Sequence, residues 1–162
     1  MTGLVSDEAR AQIGQLVGPA ITAEITARDA QRYAMAVDDL NPVYFDEAAA
    51  HAAGYRTLTV PPTFLGHVVA ATRPLGDLRD DGLYRGGPRL KLGLDRVMAG
   101  GDAWGFVEPA YVGDVVTAES RLAEIVERSG SKGPFVTTVV ETVFTDQRGT
   151  ILATLRQTAI AR

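Results

Sequence analysis

The stretch PPTFLGHVVAATR, residues 61–73, decides the fold that we predict from the sequence. Two prolines and a threonine open a helix, since proline fits the first helical positions, where its missing N–H is not needed. The helix that follows is apolar nearly all round, which is typical of a buried helix. A buried helix must be covered on every side, and an antiparallel sheet that curls around it provides that cover.

The segments on either side of this helix supply the sheet and the smaller elements. Before it, Ser6 begins a helix that we expect to end near Gly18, Thr26 caps a second helix through Val37, and Asn41 begins a short third one. Alternating residues predict strands, and Gly100-Gly101 has the composition of a turn. The predicted strands are Ile21–Thr26, Leu90–Leu94, Trp104–Pro109, Val115–Ile125, Phe135–Thr145 and Thr150–Ala161. Together these elements predict a single α+β domain over residues 1–162.

Composition and charge narrow the classes of function. The net charge of −4 argues against a sequence-independent nucleic-acid binder, because such a protein needs a basic face. No apolar run is long enough to cross a bilayer, and the N-terminus has no signal-peptide pattern, so we expect a cytoplasmic protein. Cysteine is absent, which removes disulfides and thiolate chemistry. Asp38, Asp39 and Asn41 lack the other ligands of a calcium loop and no zinc spacing occurs, so we expect no metal and no cofactor.

The loop VDDLNPVY, residues 37–44, holds the residues that we single out for chemistry. Asp39 either caps the turn that follows it or is a catalytic carboxylate, and the residues alone leave both readings open. Asn41 has the position of a cap that fixes the loop. Tyr44 is equally consistent with packing and with lining a site.

Four stretches carry a family resemblance: RYAMAVDDLNPVYFDEAAAHAAGY, VPPTFLG, GGDAWGFVEPAYVGDVVTAESRLAEI and VVETVFTDQRGTILATLRQT. The chain resembles MaoC-type hydratase/dehydratase domains, specifically the FAS1-like dehydratase branch. The resemblance implies a hot-dog fold, in which a long central helix is wrapped by a curved antiparallel sheet, and assembly into dimers. It also implies addition of water to, or its removal from, the 2,3 position of an acyl thioester.

The family pattern Asp-x-Asn-Pro-x-His gives the candidate site by resemblance. Asp39 falls on the aspartate, Asn41-Pro42 on the turn, and Tyr44 on the histidine, while Asp38 stands where active members have glycine. A second histidine of this branch is replaced by Ala99. We therefore take Asp39 and Tyr44 as the candidate catalytic residues, although a phenol with a pKa near 10 is a poor base.

Candidate substrate-binding residues lie mainly around the start of the apolar helix. The backbone N–H groups of Thr63 and Phe64 are candidate donors to a thioester oxygen, since Pro61 and Pro62 have none to offer. His67 is by default a core histidine, with a role in a pocket as the less favoured alternative. Trp104 packs in the sheet or lines an acyl channel. With Asn41, these four complete the predicted site.

Three functions remain open on the sequence. The first is a (3R)-hydroxyacyl-thioester dehydratase, or enoyl-thioester hydratase, acting on acyl-CoA or carrier-bound chains of fatty acid or polyketide metabolism. The second is a non-catalytic subunit that pairs with an intact hydratase subunit. The third is a hot-dog pocket that guides cyclisation of a polyketide-like chain. All three predict a homodimer or a heterodimer with another hot-dog subunit.

Overall fold

The computed structural model describes residues 4–71, 74–78, 80, 90, 92, 94 and 96–162. Its centre is a five-stranded, fully antiparallel sheet with the order β1-β3-β4-β5-β2. The strands are β1 (Ile21–Glu24), β2 (Val97–Phe106), β3 (Val115–Gly130), β4 (Gly133–Thr145) and β5 (Ile151–Ala161). The helices are α1 (Asp7–Arg10), α2 (Ala27–Ala36), α3 (Glu47–Ala52) and α4 (Phe64–Ala71), with short 3₁₀ turns at Pro42–Tyr44 and Leu75–Asp77.

The main hydrophobic core lies between α4 and one face of the sheet. Phe64 and Leu65 of α4 are almost completely buried against residues of β3, β4 and β5, among them Phe144 and Leu152. Complete burial of one such side chain contributes about 1.5–3 kcal/mol, so this helix–sheet contact is a main source of stability. The predicted α+β class is confirmed, and Phe64, Leu65 and Val68 of the apolar helix are buried, whereas His67 is exposed.

Several predicted elements have the wrong bounds; the strand predicted at Val115–Ile125, for example, runs to Gly130. The first helix is only Asp7–Arg10, because the chain beyond it turns along β3, where the N–H of Gly14 donates to the Leu122 carbonyl at 2.7 Å. The strand predicted at Trp104–Pro109 is Val97–Phe106, so the glycine pair lies inside a strand and not in a turn. A β-bulge between Ala99 and Gly101 accommodates it.

The segment between α4 and β2 was predicted to hold a strand at Leu90–Leu94. Only Leu90, Leu92 and Leu94 of that range are described; they lie outside the sheet and pack against a smaller core that includes Leu122 and Val136. The other residues of the range, and most of the turn-rich segment at 75–89, lie outside the described residues.

The sheet ends in an exposed strand. Strand β2 is the last in the order, β5 is its one partner among the described strands, and nine of its ten residues are exposed. Such an edge presents unpaired backbone N–H and C=O groups. Among the described helices, none has the length and apolar character needed to span a membrane.

Candidate active site

The end of helix α2 positions Asp39. The N–H of Asp39 donates to the Ala34 carbonyl at 2.9 Å, and the N–H of Asp38 donates to the Met35 carbonyl at 3.3 Å. This is the Schellman arrangement, which requires a left-handed residue just past the helix, and Asp38 has φ of 57°. The cap therefore fixes the backbone of Asp39 and lets its side chain leave the helix end.

The next turn brings Tyr44 back to Asp39. The side-chain Oδ1 of Asn41 accepts from the N–H of Val43 at 3.3 Å, and the backbone carbonyl of Asn41 accepts from the N–H of Tyr44 at 3.1 Å. Asn41 therefore caps the 3₁₀ turn Pro42–Tyr44. The Tyr44 hydroxyl then donates to Oδ2 of Asp39 at 3.2 Å. Asn41 thus has the structural role of a cap. The side chains of Asp39 and Tyr44 are in contact, as the family pattern suggests.

Tyr44 is a hydrogen-bond donor in this arrangement. Burial of the ring, the negative charge of Asp39 and the hydrogen bond to Asp39 together raise the pKa of the Tyr44 phenol from 10.0 to about 12. The phenol is therefore fully protonated near neutral pH, and its hydrogen is directed to a carboxylate. Of the two groups, only Asp39 is able to accept a proton.

Tyr44 forms part of the wall of a first cleft, whose volume is about 280 Å³. The cleft runs between the 37–44 loop, the start of α4 and the end of β2, and its surface is mainly apolar. Among its lining residues are Asn41, Tyr44, Tyr55, Leu65, Phe106 and Glu108. Asp39 does not line it directly, so within the pair Tyr44 is the residue that faces the cleft.

A second cleft, of about 500 Å³, lies on the other side of the start of α4. The Tyr33 hydroxyl and Thr63 Oγ1 are 3.0 Å apart there, and the ring of Tyr33 packs on the ring of His67 with centroids 5.6 Å apart. Trp104 lies on its floor, stacked on Phe144 at 5.6 Å. This cleft is more polar than the first.

The comparisons with known proteins agree with this architecture. The family model of the FAS1-like dehydratase domain region matches residues 11–155. The chain belongs to this family. A UPF0336 protein of Parafrankia sp. is 35% identical over 123 residues, which cover 76% of this chain and 74% of that protein. The predicted membership in the FAS1-like branch of MaoC-type domains is confirmed.

Two solved structures share the fold at low identity. The ChsH1–ChsH2 complex of Mycobacterium tuberculosis matches with a TM-score of 0.73 and 18% identity, covering 96% of each chain. The HadBC complex of the same organism, a (3R)-hydroxyacyl-ACP dehydratase, matches with a TM-score of 0.65 and 20% identity, covering 90% of this chain and 97% of that one. The predicted hot-dog fold is therefore confirmed.

In this FAS1-like dehydratase domain the predicted substrate-binding residues do not form one site. Asn41 lines the first cleft with Tyr44, whereas Thr63, His67 and Trp104 line the second. Phe64 lines neither and is buried between them, with 1% of its surface exposed. His67, for which a core position was the default, is exposed at the second cleft.

The two predicted oxyanion donors also differ in whether their backbone N–H is available to a substrate. The N–H of Phe64 donates to the Pro61 carbonyl at 2.8 Å, so it is not available to a substrate. The N–H of Thr63 meets no acceptor in the described part of the chain. Thr63 is therefore the better of the two candidates at the start of this helix.

Sequence reasoning missed Tyr55, Thr59 and Glu108, all of which line the first cleft. Glu108 is placed by a bulge at the end of β2, where the N–H groups of Val107 and Glu108 both donate to the Leu152 carbonyl at 2.9 and 3.1 Å. The only sequence feature near it is the proline at 109, which ends the strand. In the described ranges, no group of three or more acidic or histidine side chains is placed to hold a metal ion.

Proposed function

We propose that this chain is a subunit of a hydratase/dehydratase that interconverts 2-enoyl and (3R)-3-hydroxyacyl thioesters. The observation that carries the proposal is the Tyr44–Asp39 hydrogen bond at the wall of an apolar cleft, on the loop where the family pattern has its catalytic pair. The apolar walls suit an acyl chain. Family membership supports the reaction class, and the carrier and chain length belong to the proposal.

The reaction sets requirements that this pair meets only in part. In hydration, the oxygen of water bonds to C3 of the enoyl thioester, a base takes one proton from that water, and C2 receives a proton. Tyr44 is protonated and donates its one O–H hydrogen to Asp39, so its hydroxyl oxygen remains free to accept a hydrogen bond from a water and thereby to orient it. The base must be Asp39 or a group outside this pair.

We propose further that the complete reaction uses a second hot-dog subunit that carries an intact Asp-x-Asn-Pro-x-His loop. The specific observation in favour is that Tyr44, and not a histidine, contacts Asp39. The raised pKa of Tyr44 keeps its phenol protonated, so this chain has no imidazole-like base beside Asp39. HadBC and ChsH1–ChsH2 are complexes of two named chains, which supports a pairing of this kind. The exposed edge strand β2 offers a surface on which a second sheet could continue. The alternative is a homodimer in which Asp39 acts alone as the base.

The test is an enoyl-CoA hydration assay with short and long acyl chains, run on the chain alone and mixed with a hot-dog protein that has the intact motif. We expect low activity alone and a large increase in the mixture. Asp39→Asn should lower any activity of the chain alone by on the order of a hundredfold or more. Absence of thioester binding, alone and in the mixture, would contradict the proposal.

A further inference from the structure

The second cleft brings Thr63 and His67 together on one side of α4. Thr63 is the residue before the helix, His67 follows it by four positions, and both line the cleft. Residues four apart on a helix are neighbours, with Cβ atoms about 5–6 Å apart. The imidazole therefore lies about one helical turn from the backbone N–H of Thr63, which meets no acceptor in the described part of the chain.

Two aromatic rings restrict the orientation of this imidazole. The ring of His67 packs against the ring of Tyr33 at 5.6 Å and against that of Phe64 at 5.7 Å, measured between centroids. The Tyr33 hydroxyl reaches past the imidazole to Oγ1 of Thr63, 3.0 Å away. Phe64 is buried, whereas His67 is exposed. The imidazole is thus supported by its neighbours and is still accessible from the cleft.

The sheet supplies an apolar floor for this cleft. Trp104 stacks on Phe106 and on Phe144, with centroids 5.5 and 5.6 Å apart. A Cβ on Gly66 would lie 3.3 Å from Cζ2 of Trp104, so this glycine lets α4 approach the indole closely. Leu155 of β5 is the register partner of Trp104 and also lines the cleft. The floor therefore offers packed apolar side chains to an acyl chain that lies below His67.

We propose that the second cleft hydrolyses an acyl ester or thioester, with His67 as the catalytic base. The carbonyl oxygen of the substrate accepts from the Thr63 N–H, and the acyl chain lies on the Trp104 floor. His67 takes a proton from a water while the oxygen of that water bonds to the carbonyl carbon. The Thr63 N–H then stabilises the tetrahedral oxyanion. The bond to the leaving group breaks, the thiolate or alkoxide takes the proton from the imidazolium, and the carboxylic acid remains.

This reaction is distinct from the proposed hydration, because it uses neither the first cleft nor the Asp39–Tyr44 pair. The Thr63 hydroxyl has a positioning role in it, since its bond to Tyr33 holds it beside the imidazole, where it orients the water. The competing explanation is that His67 only packs on two aromatic rings at the surface. Packing alone predicts no hydrolysis, so activity separates the two explanations.

The experiment measures hydrolysis of two butyryl substrates by the wild-type chain. One is the thioester of N-acetylcysteamine, and the thiol that it releases is followed with a thiol reagent, since the chain has no cysteine of its own to react. The other is the 4-nitrophenyl ester, whose product is followed by absorbance. We expect hydrolysis of at least one. Turnover of both would mean that the shared acyl carbonyl is recognised, and turnover of one alone would assign that form.

Histidine variants then assign the activity to the second cleft. His67→Gln should lower kcat by on the order of a hundredfold, as loss of a general base does. His51→Gln is the matched control, because His51 is the other histidine of the chain, bonds the Arg56 carbonyl at 3.1 Å and lines neither cleft. Circular dichroism checks that both variants fold, and His67→Asn replaces His67→Gln if that variant does not.

The pH profile gives a readout that packing would not change. The wild-type kcat should rise with pH across the range in which imidazoles lose their proton, around pH ~6.5, and this rise should be absent in His67→Gln. The other titratable side chains on the described walls of the cleft are Tyr33 and Asp102. Phenols and carboxylic acids ordinarily titrate outside that range, so they would not reproduce the rise.

Thr63 variants test the positioning role separately. Thr63→Val keeps the backbone N–H and loses the hydroxyl, so kcat should fall by about tenfold, as loss of one hydrogen bond gives. Thr63→Ser restores the hydroxyl and should restore kcat. A residue with only a structural role would change the denaturation midpoint in Thr63→Val and leave kcat unchanged.

The possible failures have distinct meanings. No hydrolysis of either substrate would overturn the second site and leave the proposed hydration, which has its own enoyl-CoA assay, standing. Hydrolysis that His67→Gln leaves unchanged, or that both histidine variants lower equally, would assign the reaction to other groups and would also overturn the site. Absence of enoyl-CoA hydration together with His67-dependent hydrolysis would overturn the proposed function alone.

Discussion

Replacing Tyr44 by phenylalanine tests whether this residue is a donor held by Asp39. The pKa of the phenol is higher in the folded chain than in the unfolded one, so the folded state retains a proton that the unfolded state loses above pH 10. The contribution of this group to stability is complete below pH 10 and is lost as the pH rises through about 12. Tyr44→Phe has no phenol to titrate and should lose this part of the pH dependence.

The structure gives the expected size of the stability change at pH 7 and of the further change above pH 10. The hydrogen bond is 3.2 Å long and ends on a half-buried carboxylate, so its removal at pH 7 should cost about 1 kcal/mol, or about 2–4 °C in melting temperature for a chain of this length. A pKa raised from 10.0 to about 12 corresponds to at most roughly 3 kcal/mol, lost between those two pH values in the wild type. The advantage of the wild type should therefore shrink above pH 10 and then change sign, so that Tyr44→Phe becomes the more stable protein at the highest pH.

The assay is urea denaturation followed by circular dichroism at pH 7, 10 and 11.5. Tyr33→Phe is the matched control, because it loses a tyrosine hydroxyl that hydrogen-bonds the neutral Thr63 at 3.0 Å and no charged group. The control should keep the wild-type loss of stability above pH 10. If wild type and Tyr44→Phe lose stability equally between pH 10 and 11.5, Tyr44 is not held by the Asp39 charge and our account of the site is wrong.

Three further predictions concern the same loop and the assembly. Tyr44→His rebuilds the family order Asp-x-Asn-Pro-x-His and supplies a base that titrates near neutral pH, so it should increase enoyl-CoA hydration; a folded variant without any gain would argue against a hydratase site here. Asp38→Gly should be more stable than Asp38→Ala by about 1 kcal/mol in denaturation midpoints, because φ is 57° at this position, and equal stabilities would refute the role of the cap. Light scattering should give the mass of at least two chains, alone or with a partner, and a stable folded monomer at micromolar concentration would contradict this.

The parts of the fold that the sequence predicted correctly depend on short-range chemistry. Thr26 caps α2 as expected, with its hydroxyl accepting from the N–H of Asp29 at 3.1 Å, and Asn41 caps the next turn. The turn predicted at Gly100-Gly101 is wrong because its cause is a long-range contact and not local chemistry. A Cβ on Gly100 would lie 2.9 Å from Cγ2 of Thr158, so this glycine permits close approach of β5 and does not form a turn. That requirement comes from a strand nearly sixty residues away and has no local pattern.

The candidate site could be predicted only as far as its loop. Thr63, Leu65 and His67 are close in sequence, but the turn of the helix directs Leu65 to the first cleft and the other two to the second. An apolar pattern that covers the helix nearly all round gives no sign of which side faces which cleft. The pairing of Asp39 with Tyr44 was expected from the family pattern, and the C-cap of α2 and the adjacent Asn41-capped turn bring the two residues together.

Under the proposed function, the geometry of this loop would let a single side chain decide between catalysis by this chain and catalysis by a partner subunit. The bonds that shape the loop come from backbone groups of residues 34–39 and from the Asn41 cap, and none of them uses the side chain of residue 44. The backbone of Asp39 is therefore held in the same place whichever residue occupies position 44. With tyrosine there, the carboxylate accepts a hydrogen bond from a phenol that remains protonated. With histidine the carboxylate would orient a base, so under the proposed function the same scaffold would serve either as a binding wall or as a proton-transfer site.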